Sequence, residues 1–189
     1  NRIKELTNIN FDFIEGDIRD KRLLRRIFKE HKFDAVIHFA GLKAVKESEE
    51  KPLNYFENNI SGSIVLLNEM DRANVNCLVF SSSATVYGEP KVPKCNENSQ
   101  LCPKNIYGQT KLIVENILTS LKEIQPKWKI VNLRYFNPIG AHPSGLIGED
   151  PNGEPNNLMP YISQVAIGKR DKLFIYGDNY NTSDGSGKR

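Results

Sequence analysis

The chain has 189 residues, 39% hydrophobic and 26% charged, enough to bury roughly 70% of its unfolded surface as one domain without disulfide staples. No apolar run approaches the ~20 residues of a bilayer crossing, and 26 basic against 23 acidic residues leave a net charge of +3 with no basic block, which argues against a membrane and against nucleic acid as partners. Cys77, Cys95 and Cys102 form no C-x-x-C pair and no cluster with histidines, a pattern that fits a reducing cytoplasm and no metal site.

The opening Asn1-Arg2-Ile3-Lys4-Glu5 has neither an initiating methionine nor an apolar leader core, and the last residues, Asp184 to Arg189, stop in a glycine-spaced polar turn. The sequence is therefore expected to be a piece of a longer protein. Phe11 to Glu15 reads as a strand, and Arg19 to Lys29, with Leu23, Leu24, Ile27 and Phe28 on one face, as a helix. Ala35 to Phe39 is the next strand. Leu53 to Ala73 is helical, with Phe56, Ile60, Ile64, Leu67 and Met70 recurring every three or four residues, and Cys77 to Ser81 is a buried strand.

A turn-rich stretch from Gly88 to Asn105 leads to a helix at Tyr107 to Ile124, striped by Ile113, Ile117, Leu121 and Ile124, and then to a strand at Lys129 to Tyr135. Between Asn137 and Pro160 lie five of the ten prolines and four of the thirteen glycines, so loops are expected there. A short helix at Leu158 to Ile167 and a strand at Leu173 to Tyr176 close the reading. The alternation predicts an α/β fold with a doubly wound parallel sheet. Residues 1–137 are expected to form one domain and residues 138–189 the start of another.

Ligands of doubly wound sheets bind beyond the carboxyl ends of the strands. Four junctions lie there: Gly16-Asp17-Ile18, Ala40-Gly41-Leu42-Lys43, Ser81-Ser82-Ser83-Ala84-Thr85 and Asn137-Pro138. Tyr107 and Lys111 stand four residues apart on one helix face. At about 6 Å and an effective dielectric of 20, the ammonium would draw the phenol from its usual value near 10 down to about 8, within reach of general-base work. Ser83 precedes Tyr107 by 24 residues, and the fold should gather both at one sheet edge, where a serine hydroxyl could hold the oxygen that loses its proton.

The run Ser81-Ser82-Ser83-Ala84-Thr85-Val86-Tyr87-Gly88, then Tyr107-x-x-x-Lys111, then Arg134-Tyr135-Phe136-Asn137-Pro138-Ile139-Gly140-Ala141-His142-Pro143-Ser144-Gly145 resembles the UDP-glucose 4-epimerases of the extended short-chain dehydrogenase/reductase superfamily. Phe39 to Val45, Gly148-Glu149-Asp150-Pro151 and Pro155 to Tyr161 fit the same family. The resemblance implies a Rossmann-like, NAD-binding first domain and part of a smaller α/β domain for the UDP-sugar. It implies Asp17 and Ile18 beside the adenine, Phe39, Ala40 and Lys43 along the phosphate and ribose path, and Asn58 facing the cofactor. Ser81 and Ser82 would lie by the nicotinamide half, bordered by Tyr135. Tyr107 would be the base, Lys111 its ribose-binding partner, and Ser83 would touch the sugar's 4-oxygen. Phe136 and Asn137 would reach the substrate, Asn157 and Leu158 the UDP portion, Phe174 and Tyr176 the uracil, and Arg189 a phosphate. UDP-glucose and UDP-galactose are the implied substrates, and a homodimer the implied state of the complete enzyme.

Other readings of the same residues stay open. Asp17 could cap the helix that follows it, Asn58 and Asn137 could be ordinary helix-face or turn residues, and Phe174 and Tyr176 could pack a core. His38 and His142 read as structural. A sugar-nucleotide 4,6-dehydratase resembles this chain in fold, but places an acid pair where Ala84 and Thr85 stand. A non-catalytic NAD-sensing relative would be expected to lose the Tyr/Lys pair. A catalytically incompetent fragment is the third alternative, because no G-x-G-x-x-G or G-x-x-G-x-x-G turn occurs and the pyrophosphate needs one. That turn is expected upstream of Asn1, and the rest of the substrate domain beyond Arg189.

Overall fold

The computed structural model describes residues 2–90 and 94–187. They form two compact units, one of Phe11–Phe136 and one drawn from Asn1–Asn10 together with Asn137–Arg189.

The first unit is built on a three-stranded parallel sheet in the order β1 (Val36–His38), β2 (Cys77–Ser83), β3 (Lys129–Tyr135). Val36, Leu78 and Ile130 lie in register, as do His38, Phe80 and Asn132. Each pair of strands is joined through helical segments, as parallel pairing requires. Helix α2 (Lys21–Glu30) precedes β1. Between β1 and β2 come α3 (Val45–Glu50), α4 (Pro52–Tyr55), a π-helical turn (Phe56–Ser61) and α5 (Gly62–Arg72). A 3₁₀ turn (Ala84–Tyr87) and α6 (Ile106–Ile124) link β2 to β3. The α/β class and the parallel sheet are those expected from the sequence.

Period-two alternation puts Leu78 and Phe80 on the buried face of β2, against Leu66, Leu67 and Met70 of α5, Val114 and Leu118 of α6, and Val75 and Trp128. Trp128 is fully enclosed and its indole N–H donates to Gln125 at 3.3 Å. On the opposite face the cross-strand row Ile37, Val79, Val131 is more open, with Ile37 61% and Val131 51% exposed.

Local chemistry accounts for the element ends. Asp20, not Asp17, caps α2: its carboxylate accepts from the N–H groups of Arg22 at 2.9 Å and Leu23 at 3.0 Å. Pro52 opens α4 where a missing N–H costs nothing. Gly62 is required by close approach, because a Cβ there would lie 2.7 Å from Ile18 Cγ2.

Two expected strands are absent. Phe11 to Glu15 and Leu173 to Tyr176 run without strand pairing among the described residues, with Phe13 80% and Tyr176 84% exposed. Alternating apolar residues describe a strand only where a neighbour supplies hydrogen bonds. Conversely α3 and, in the second unit, α1 (Arg2–Thr7) were not expected. The second unit also holds α7 (Leu158–Ala166), preceded by the loops foreseen from the prolines. No helix among the described residues is long and apolar enough to cross a membrane.

Candidate functional site

The carboxyl ends of the strands in the first unit collect the residues singled out above. Ser83 ends β2 and caps the 3₁₀ turn, its Oγ accepting from the Thr85 N–H at 3.2 Å and from the Thr85 hydroxyl at 3.0 Å. Tyr107 and Lys111 ride one face of α6. The Lys111 ammonium is buried and donates to the Ser81 carbonyl at 2.7 Å. It lies 4.9 Å from the centre of the Phe80 ring and 5.8 Å from that of Tyr107.

Burial pushes the Lys111 ammonium down to about 8 and the Tyr107 phenol above its usual value, while the neighbouring Ser83 hydroxyl pulls the phenol back down. This corrects the expectation of a phenol near 8 lowered by Lys111. Low dielectric penalises both charged forms, and the ammonium is held by a backbone carbonyl and lies over the ring face. Lys111 in turn acts on His38, whose imidazole is held at about 4, first by burial and then by that charge. His38 Nε2 lies 2.9 Å from Ser63 Oγ, and the Ser63 hydroxyl donates to the Asn59 carbonyl at 2.5 Å.

The other expected cofactor residues are placed as follows. Phe39 and Tyr135 face each other at 6.5 Å between ring centres. Ala40 and Lys43 are exposed on the loop after β1, and Asn58 is half-buried on the π-helical turn. Ser82 is turned inward: its hydroxyl donates to the buried Glu115 carboxylate, which is paired to Arg134 at 2.7 Å. Arg134 also donates to the Tyr87 hydroxyl at 3.1 Å, and Phe136 stacks on Tyr87 at 6.2 Å. Asp17 is tied to Arg19 at 2.7 Å, which holds its carboxyl at about 2, and Ile18 packs against the core.

Sequence reasoning missed Asn59. Its buried amide accepts from the Leu42 N–H at 2.8 Å and donates to the Leu42 carbonyl at 3.0 Å and to Thr110 Oγ1 at 3.1 Å. It thereby fastens the loop after β1 to α6 beside Lys111. The signal was there, since Asn58-Asn59-x-Ser61-Gly62 is a run of weak helix formers inside a long helix.

In the second unit Asn137, Asn157 and Leu158 line a cavity of about 320 Å³ with Pro138, Glu149 and Met159. Asn157 donates to the Glu149 carboxylate and Leu158 opens α7. Phe174 and Tyr176 lie near each other, at 6.5 Å, and are exposed, so neither packs a core. Arg189 lies outside the described residues.

A family model described as GDP-mannose 4,6 dehydratase matches residues 1–187. The chain belongs to this family of extended short-chain dehydrogenases/reductases. Curated relatives include UDP-glucose 4-epimerase 1 of Oryza sativa subsp. japonica, 56% identical over all of this chain and 54% of that protein. The UDP-glucose 4-epimerase of Neisseria meningitidis serogroup B is also 56% identical, over all of this chain and 56% of its own length. Among solved structures, UDP-glucose 4-epimerase from Bifidobacterium longum in complex with NAD+ and UDP superposes with a TM-score of 0.93 at 49% identity, covering 98% of this chain and 56% of that one. That from Stenotrophomonas maltophila, with bound NAD and formylated UDP-arabinopyranose, gives 0.93 at 50% identity over 98% and 55%. The resemblance read from the loop motifs thus extends along the whole chain. The chain spans about half the length of the curated relatives it matches.

Proposed function

We propose that the chain carries the catalytic residues of an NAD-dependent UDP-hexose 4-epimerase that interconverts UDP-galactose and UDP-glucose. The observation that carries this reading is the Tyr107 phenol beside Ser83, with a desolvated Lys111 ammonium against the same ring, at the carboxyl end of a parallel sheet. The identity to UDP-glucose 4-epimerases supports it.

The residues suit the cofactor. Among the described residues the hydrogen bond from the Lys111 ammonium goes to Ser81, leaving N–H groups for ribose hydroxyls. Phe39 and Tyr135 offer aromatic faces at the same edge, with Asp17, Ile18, Ala40, Lys43, Asn58 and Ser81 as further contacts, while the inward-turned Ser82 would support that edge from behind through Glu115. NAD, when bound, would supply the hydride acceptor and donor. The chain's own part is proton handling and orientation. Tyr107 takes the 4-hydroxyl proton as C4 becomes a ketone, and returns it when the alcohol re-forms on the opposite face. Ser83 holds the oxygen and draws the phenol toward ionisation, and Lys111 would hold the ribose beside it. The second unit would hold UDP through Asn157, Leu158, Phe174, Tyr176 and Arg189, with Phe136 and Asn137 toward the sugar. On this reading residues 1–137 are part of the NAD-binding domain and 138–189 begin the UDP-sugar region. The three free cysteines support a cytoplasmic setting, and the complete enzyme is read as a homodimer.

The 4,6-dehydratase activity that the family model's description carries is disfavoured by Ala84 and Thr85, which offer no carboxyl group after the serine run. In the complete enzyme Tyr107→Phe is expected to lower UDP-galactose conversion at least 100-fold, within the range for losing a general base, while UDP-sugar binding by calorimetry persists. Unchanged turnover would overturn the assignment.

A further inference from the structure

The helix that bears Tyr107 begins with an unusual set of acceptors. An α-helix leaves its first N–H groups without intrahelical partners. In α6 the Gly108 N–H is met by Asn105 Oδ1 at 2.7 Å, as an ordinary N-cap supplies. The two before it are met from 57 and 59 residues upstream: the Ile106 N–H donates to Glu49 Oε1 at 2.8 Å, and the Tyr107 N–H to Ser48 Oγ at 3.1 Å. Ser48 is wholly buried, and its own hydroxyl proton goes to the Val45 carbonyl at 2.6 Å. Helix α3, which carries both acceptors, is pinned in turn by the buried Tyr55, whose hydroxyl bonds the Ala44 carbonyl at 2.8 Å and Glu47 at 3.1 Å. The loop Phe39 to Lys43 runs directly into α3.

We propose that Ser48 and Glu49 are positioning residues for Tyr107, fixing the backbone of the base from the segment that continues the Phe39–Lys43 loop. Movement of that loop is thereby passed to the start of α6, and with it to the contact between the phenol and Ser83. The role assigned to Tyr107 rests on the reading given under Proposed function, whereas the positioning itself does not.

The first test therefore uses no turnover. Tyrosinate absorbance is titrated in the chain itself, and subtracting the Tyr107→Phe titration isolates the Tyr107 phenol. Ser48→Ala and Glu49→Ala remove an acceptor each, so the phenol slips from Ser83 and its midpoint rises by about half a pH unit or more, the loss of part of a hydrogen bond. Ser48→Thr and Glu49→Gln keep the acceptor and return the parent midpoint. Glu49 is exposed, so its pair of variants decides the matter even if Ser48→Ala does not fold. A parent-like midpoint in Glu49→Ala, or no recovery with Glu49→Gln, overturns the proposal. In the complete enzyme Glu49→Ala is expected to lower kcat several-fold at unchanged KM. If Tyr107→Phe leaves turnover intact while the midpoint shifts are seen, the positioning stands and the role of Tyr107 as base falls.

Discussion

Lys111 and His38 are two bases placed where charge is costly, and their burial makes the molecule's stability depend on pH in opposite parts of the scale. The Lys111 value of about 8 against 10.5 in a free chain means that the unfolded state binds more protons between those values, so stability rises as pH climbs through that window. At neutral pH the full penalty applies, about 3 kcal/mol at 1.36 per unit. Lys111→Met removes the charge but leaves the Ser81 carbonyl unpaired at a cost of ~1–2 kcal/mol. The expected net effect is a gain of about 1–2 kcal/mol in urea unfolding at pH 7, fading as pH rises from about 8 to 10.5, together with loss of NAD affinity. No gain in stability at pH 7 would show that the ammonium is better solvated than its burial indicates. His38, held at about 4 against 6.5 when unfolded, acts at the acid end. Its stabilising neutral form is fully effective above pH 6.5, and about 3 kcal/mol is lost as pH falls to 4. His38→Gln should flatten that acid limb of a denaturation-versus-pH curve.

At the scale of elements, two ties set the sheet edge. Glu115 of α6 binds Ser82 of β2 and Arg134 of β3, with the carboxylate 4% and the guanidinium 18% exposed. Breaking a buried pair from one side strands the other charge, so Glu115→Leu is expected to cost about 3 kcal/mol or more in chemical denaturation. Gly62 makes the second tie by letting Ile18 approach. Gly62→Ala should destabilise by about 1–2 kcal/mol through overpacking, and adding Ile18→Ala should cost less than the sum of the two, because the colliding methyl is gone. Additive costs would place the strain elsewhere. The legible elements were those whose pattern is self-sufficient. β3 and α6 were read almost to the residue because β-branched or apolar stripes announce them, and the structure adds the Asn105 cap at the start of α6. Helix α3 was invisible, since Lys46-Glu47-Ser48-Glu49-Glu50 looks like solvated loop and is held by Tyr55 from another helix. The π-helical turn could not be foreseen either, for hydrophobic periodicity reports which face is buried and not an extra residue in one turn. Within the candidate site, Ser83, Tyr107 and Lys111, which the folded chain brings together, were singled out from motif and junction. Ser48 and Glu115 act through backbone or buried partners that only the folded chain brings close, whereas Asn59 stood in a run of weak helix formers and could have been found.

For the whole molecule, the two units divide the proposed labour: the sheet unit holds the proton-transfer groups, and the second unit holds the cavity lined by Asn157 and Leu158. A ligand that binds only the folded state stabilises it by mass action, about 2.7 kcal/mol at a hundred times its Kd. In the complete enzyme NAD should therefore raise the unfolding midpoint of the parent and leave that of Lys111→Met unmoved. A shift of equal size in both would remove Lys111 from the cofactor site. Trp128 gives the chain an optical probe of its own. It is the one tryptophan of the sequence and lies fully enclosed in the core of the sheet unit. Excited near 295 nm, the chain emits from that single place, so its fluorescence follows the melting of Phe11–Phe136 and is blind to the second unit. A circular-dichroism melt that begins before the emission changes would time the loss of the second unit separately, with no label attached.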